Sequence, residues 1–234
     1  MALPLTTEKT INVVLILVVL NIYFAFIDEF YYIDRCYTGA ADKSKLAGTL
    51  DKYRQALFFS IYFLSVMVVP TLAIGSINTL TKRLVDFVSS YLFRYAVYLT
   101  IVHPLGDIFP YSGCLTNKSI SGHTHMYTYH IGLALHDFCL LIVEKKKATG
   151  REKRGKCSWA SDLHFFISSA IFFCCFAFGI LAIRETYVGG YHTPRHMIQG
   201  FIVAIETIML YIMLRNKILM QKGLVEGSTK IFIK

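Results

Sequence analysis

The sequence predicts an all-α membrane protein, a bundle of about six transmembrane helices with both termini in the cytosol. Three observations carry that fold class: the amount of apolar sequence, the length of its blocks, and the placement of Lys and Arg around them. Of 234 residues, 55% are hydrophobic, and the mean hydropathy is +0.50. A soluble domain of this size has too little interior to hide so much apolar surface. The excess lies in blocks at 10–27, 56–77, 84–102, 126–143, 165–183 and 197–214. Each is close to the roughly 20 residues with which a helix crosses about 30 Å of hydrocarbon.

Helices are the natural form for these blocks, because backbone groups in hydrocarbon must be paired within the segment, and no alternating barrel pattern is present. The first block follows only a weak positive region without a small-residue cleavage site, so it reads as a retained span rather than a signal peptide. The second and third are joined by a short turn at 78–83. The third carries Arg94 mid-span, with Asp86 eight residues earlier. A charge at that depth is either functional or paired, so Arg94 reads as a partner of Asp86 or as a contact of a site, and Glu206 in the last block reads the same way. The fourth block opens after a Ser-Gly-His sequence, the fifth follows a basic loop at 144–164, and the sixth follows a loop rich in Gly and Pro. Blocks and short connections use nearly all of 1–234, which leaves one multi-pass domain with no separate soluble module and no internal repeat.

Orientation follows from the basic residues near the blocks. With both ends cytosolic, the cytosolic segments hold 15 basic residues, and the opposite connections hold eight against seven acidic ones. The connections at 103–125 and 184–196 then lie together on the non-cytosolic side, with five of the eight histidines.

The net charge of +9 does not point to nucleic acid. Seven of the 24 basic residues crowd between Lys145 and Lys156, a loop that reads as a topology signal with some attraction to anionic headgroups. The six cysteines form no CxxC pair. Cys139, Cys174 and Cys175 read as small core residues. Cys36 and Cys114 fall on the non-cytosolic side, where a disulfide between them is open.

Two segments carry residues suited to chemistry. In Ser119-Ile120-Ser121-Gly122-His123-Thr124, Ser121 fits the N-cap of the following helix, and Gly122 lets backbone approach a ligand. The free amides and dipole of a helix start favour an anion such as phosphate, and His123 in the first turn could give a proton to a leaving group. Tyr127 and His130 follow down the same face. In Tyr187-Val188-Gly189-Gly190-Tyr191-His192-Thr193-Pro194-Arg195-His196, two glycines and a proline constrain a loop that presents His192. A neutral imidazole can attack phosphorus and carry the phosphoryl group. Lys118, Arg184 and Arg195 are available to neutralise charge on the phosphoryl oxygens, with His196 and Arg94 as supporting residues. His130 and His136 read as interior hydrogen-bonding residues. Asn117-Lys118-Ser119 is a glycosylation sequon beside the same site.

Ser-Gly-His-Thr before one span, with a second histidine loop before the last, resembles the type 2 phosphatidic acid phosphatase superfamily, which includes the sphingomyelin synthases. The nearest likeness is to the FIT (fat storage-inducing transmembrane) family. Its six spans and cytosolic termini match the topology above. Its first motif, centred on Ile-Ser-Gly-His, is similar to Ile120-Ser121-Gly122-His123, and its second to His192-Thr193 with Gly200 eight residues on. The stretches at 111–114 and 51–52, and His136-Asp137, are also similar. The chain departs from the usual pattern at Ser119, where the family tends to have Asp. At His196 it departs from lipid phosphatases and sphingomyelin synthases, which place an orienting Asp there. The segment from Arg94 to Pro104 echoes the sphingomyelin synthases.

The resemblance implies an endoplasmic reticulum membrane enzyme whose luminal site hydrolyses the diphosphate of fatty acyl-CoA, to acyl phosphopantetheine and adenosine bisphosphate, in support of lipid droplet formation. It implies His123 and His192 as the catalytic pair; the helix start itself puts Ser121, Gly122, Thr124 and Tyr127 near the phosphate, and no cofactor is expected. The substrate would be acyl-CoA or a phospholipid, drawn from or held among membrane lipids; Golgi and plasma membrane are the alternative addresses. Other readings stay open: a sphingomyelin synthase-like or lipid phosphatase-like phosphotransferase, a non-catalytic lipid-binding scaffold, and a zinc site from His123, His125, His192 and His196. Against zinc, Pro194 interrupts the helix that ligands four apart prefer, and no carboxylate or thiol supports them.

Overall fold

The computed structural model describes residues 16, 53, 56–58, 60, 77–108, 120–151, 159–188 and 190–219. These are almost wholly helical, with no strand among them. Helix α1 spans Ile77–Val97 and runs through a widened π-helical turn, Tyr98–Val102, into the short helix α2, His103–Ile108. Two long helices follow, α3 at Gly122–Arg151 and α4 at Trp159–Val188. Helix α5, Pro194–Leu214, ends in a second π-helical turn, Arg215–Leu219.

Among the described residues, two stretches, Leu84–Leu105 and Pro194–Ile218, are long and apolar enough to cross a membrane. The spans expected at 10–27 and 56–77 lie almost wholly outside the described residues.

Several boundaries differ from the expectation. The turn placed at 78–83 is the first part of α1. Helix α3 begins before 126 and runs on to Arg151, into the basic loop, and α4 starts before 165 and ends at Val188. The physical reason is that hydropathy marks where side chains become polar, whereas the backbone ladder continues through Lys, Arg and Glu, which are good helix formers.

Helix α3 is central, packed against both α5 and α4, while α1 leans on α5. From Thr124 to Ile131 every residue of α3 is buried, as expected of a helix surrounded on all sides. One core cluster joins Met126, Tyr127 and Ile131 of α3 to Cys175 and Ala182 of α4 and to Phe58. There the Phe58 and Tyr127 rings meet edge to face at 5.0 Å, an arrangement worth about 1 kcal/mol beyond its area. A second joins Tyr129 and Leu133 to Ala204, Ile208 and Tyr211 of α5. A third, Val102, Ile120 and Val203, ties the π-helical turn, the start of α3 and α5 together at one end.

Several polar residues lie inside this bundle beside the apolar clusters, and several large apolar ones lie outside. Asp86, Arg94, His125, His130, Gln199, Thr207 and Arg215 are buried, whereas Leu92, Phe166, Phe173 and Leu181 are more than half exposed. Of the three cysteines expected in the core only Cys175 is there; Cys139 and Cys174 face outward. An apolar block predicts burial in lipid or in protein without saying which.

Candidate active site

Both histidine segments are built by local rules. Ser121 caps α3: its Oγ accepts from the Thr124 amide at 3.2 Å and from the Thr124 hydroxyl at 2.9 Å. That leaves Gly122 and His123 as the first residues of α3. The second segment begins where α4 stops. The Gly190 amide donates to the Tyr187 carbonyl at 2.8 Å and the Tyr191 amide to the Thr186 carbonyl at 3.2 Å, the pair of bonds of a Schellman ending. Gly190 takes φ of 70°, a left-handed conformation that disfavours any residue with a Cβ. Three residues on, Thr193 caps α5 by accepting from the His196 amide at 3.3 Å, with Pro194 in the first helical position. Pro194 therefore starts the helix rather than breaking it, so His192 stands outside α5 and His196 within its first turn.

The two segments are bonded to one another. The Ser121 amide donates to the His196 carbonyl at 3.0 Å. Gly200, one turn along α5, lies so close that a Cβ placed there would stand 2.5 Å from the Ser121 carbonyl oxygen.

This docking opens a cleft of about 290 Å³ lined by His123 and His192 together with Gly122, Ile120, Met126, Arg94, Tyr95, Tyr98, Val102 and His103. The His192 side of the cleft is nearly closed to solvent, with His192 3% exposed. The His123 ring packs against Tyr191 with centroids 6.1 Å apart, and His192 meets His196 edge to face at 5.9 Å. The opposite wall comes from α1 and its continuation. The His103 amide donates to the Tyr98 carbonyl across the widened turn. The extra residue in that turn rotates His103 back onto the face of Tyr95 and Tyr98.

The other residues expected at the site are placed as follows. Gly122 lines the cleft, but Ser121 and Thr124 are buried in the cap and do not line it. Tyr127 is wholly buried in the core cluster. Arg184 is exposed and pairs with Glu185 at 3.4 Å, and Arg195, half-buried, does not line the cleft. His196 backs His192 without lining the cleft. Lys118, the sequon at Asn117, Cys36, Cys114 and the stretches at 51–52 and 111–114 lie outside the described residues.

Arg94 lines the cleft and is not the partner of Asp86. That carboxylate is bound by Arg215 Nη2 at 2.8 Å and by the Tyr211 hydroxyl at 2.8 Å. Eight residues along a helix is a rise of about 12 Å, too far for the two side chains to meet. Glu206 is half-buried on α5 and away from the cleft. His125 turns toward α5, its Nε2 at 3.2 Å from the Thr207 hydroxyl. His130 is buried against Tyr129 and Phe58. Among the described residues, no three His, Cys, Asp or Glu side chains group so as to hold a metal ion.

Sequence reasoning missed His103, Tyr95 and Tyr98. Tyr91, Tyr95 and Tyr98 at three–four spacing were a legible stripe, and their rings do stack along α1 at 6.5 Å; nothing local marked the π-helical turn that adds His103.

Among the described residues, the cleft is thus three imidazoles, a guanidinium and the start of α3 around a space with no carboxylate in its lining, although His103 Nδ1 stands 3.0 Å from the Asp107 carboxylate. Such a set can bind an anion, attack it and protonate a leaving group. Scans of protein-family models, of curated proteins and of solved structures return no match to this chain.

Proposed function

We propose that this chain is a multi-pass membrane enzyme that cleaves a diphosphate or phosphoester bond of a lipid-like amphiphile, with fatty acyl-CoA as the preferred substrate. The observation that carries the reading is the convergence of His123 and His192, 69 positions apart in the sequence, on one cleft. The six-span topology, with cytosolic termini and a non-cytosolic cleft, rests on the apolar blocks and the Lys and Arg asymmetry. The outward-facing Leu and Phe residues support contact with lipid, and the endoplasmic reticulum address rests on the resemblance to the FIT family. The substrate preference rests on the resemblance to the FIT family.

In the reaction, one imidazole attacks phosphorus through a ring-nitrogen lone pair as the bond to the leaving oxygen breaks. The other, protonated, gives its proton to that oxygen. Water then gives a proton to the second imidazole, now neutral, as its oxygen bonds to phosphorus and the phosphorus–nitrogen bond breaks, which restores both imidazoles. The start of α3 faces the developing negative charge.

The test is the product profile of purified full-length protein given acyl-CoA, phosphatidic acid or a phospholipid donor with a lipid acceptor. Acyl phosphopantetheine and adenosine bisphosphate support the preferred substrate, and headgroup transfer supports the sphingomyelin synthase-like alternative. No phosphorylated product from any of the three sinks the enzyme reading. One observation favours a second reading, a non-catalytic lipid-binding scaffold: the ring set against His192 is an imidazole, His196, where a triad would place a carboxylate.

A further inference from the structure

We infer that Arg94 is the anion-binding residue of the cleft, holding the phosphoryl or diphosphoryl group of the ligand. This deepens the reading above by assigning to Arg94 the role expected of Lys118, Arg184 and Arg195. Among the described residues it is the one Lys or Arg that lines the cleft. Arg184 is spent on Glu185 at the surface, and Arg215 on Asp86 at 2.8 Å.

Arg94 is 6% exposed, and its Nε has no hydrogen-bond partner among the described residues. A buried guanidinium is costly unless something neutralises it. Asp86 is the one acidic residue of α1, and it is already engaged. What Arg94 does have is Tyr91, whose ring centroid lies 5.3 Å from its guanidinium carbon and whose neutral side chain also hydrogen-bonds it. A cation–π contact of this kind steadies a cation without cancelling its charge. No counter-charge for it stands among the described residues, and the cleft is the open space beside it, where a ligand would supply one.

The shape and chemistry of the cleft specify the ligand further. A planar guanidinium with several donors matches the oxygens of phosphate in a bidentate fork, which a point-charge ammonium does not. The start of α3 adds partial positive charge from Gly122 and His123. A space of about 290 Å³ is at the small end of ligand pockets. It takes a phosphoryl or diphosphoryl headgroup and leaves the bulk of an amphiphile outside. Tyr98 trims the same space: a Cβ on Gly122 would stand 2.9 Å from its ring.

The experiment measures binding of inorganic pyrophosphate to purified full-length protein, by calorimetry and by thermal unfolding with and without the anion. Wild type, Arg94→Gln, Arg94→Lys, Arg184→Gln, Arg195→Gln and His136→Ala are compared. Wild type is expected to bind and to be stabilised by the anion, since a ligand that binds only the folded state raises its unfolding temperature. Arg94→Gln is expected to lose about tenfold or more in affinity, with Arg94→Lys between the two. Arg184→Gln, Arg195→Gln and His136→Ala, none of which lines the cleft, should keep binding within about threefold.

Without anion, Arg94→Gln should unfold no lower than wild type, because it removes an uncompensated charge; a large drop would mark Arg94 as a structural ion-pair member and overturn the assignment. No binding by wild type, or undiminished binding by Arg94→Gln, overturns it as well. The outcome separates from that of the proposed function. Arg94-dependent binding without cleavage of any of the three substrates leaves the anion site standing and removes the enzyme. Cleavage with pyrophosphate inhibition unchanged in Arg94→Gln does the reverse.

Discussion

The amide of Ser121 donates to the carbonyl of His196 at 3.0 Å, and through that one bond the first turn of α3 is held against the first turn of α5. Each histidine segment is shaped by its own cap and turn, but this contact sets their distance. The close passage at Gly200 is what permits it, since no side chain separates the two backbones there.

Gly200→Ala is expected to lower stability by about 1–3 kcal/mol, the usual cost of forcing an extra carbon into a packed contact. The neighbour is a backbone carbonyl rather than a flexible side-chain tip, so relief requires α5 to move away from Ser121. Thermal unfolding and turnover should fall together. An alanine variant as stable and as active as wild type would show that the approach at Gly200 does not hold the cleft.

His123→Ala and His192→Ala should each reduce turnover by about 100-fold or more with little change in unfolding temperature, the scale of losing a general acid or nucleophile. His136→Ala is the control, because His136 does not line the cleft. Steady-state rates of the three purified variants decide the matter. Full activity in either cleft variant would contradict the proposed chemistry.

Ser121→Ala removes the acceptor of the Thr124 amide and is expected to cost about 0.5–2 kcal/mol, as capping substitutions do. Since Ser121 does not line the cleft, substrate KM should change less than stability does. A variant with unchanged unfolding and abolished activity would instead make Ser121 a reacting group.

Asp86→Ala leaves Arg215 buried without its partner and should destabilise by about 3–5 kcal/mol. Tyr211→Phe loses the hydroxyl that donates to the Asp86 carboxylate at 2.8 Å, a change of about 1–3 kcal/mol. The double variant should be less destabilised than the sum, because both changes act on one network. Additive unfolding free energies would show that the two are independent.

The cap at Ser121 was legible because it is written in contiguous residues. Thr193-Pro194 before α5 and Gly190 at the end of α4 are just as local, but proline reads equally as a helix interruption and as a helix start, so those boundaries were not read. The apolar blocks likewise announced helices, although they ended too early, since side-chain polarity and backbone hydrogen bonding stop at different places. Arg94 was legible as a buried charge, but the sequence left open whether it was paired or at a site.

By itself, then, the sequence determined helical elements, the cap at Ser121, and two histidines set near helix starts, because these depend on local hydrogen bonds and on how apolar each stretch is. Only the tertiary structure decided that Tyr211 and Arg215 take Asp86 across 125 positions in the Tyr211 case, that Tyr127 faces a core while Gly122 faces a cleft, and that Arg94 stands with the two imidazoles. The direction in which a helical side chain points is set by the neighbour it packs against. A π-helical turn such as Tyr98–Val102 shifts that direction for everything after it, and neither is written in the residues that it moves.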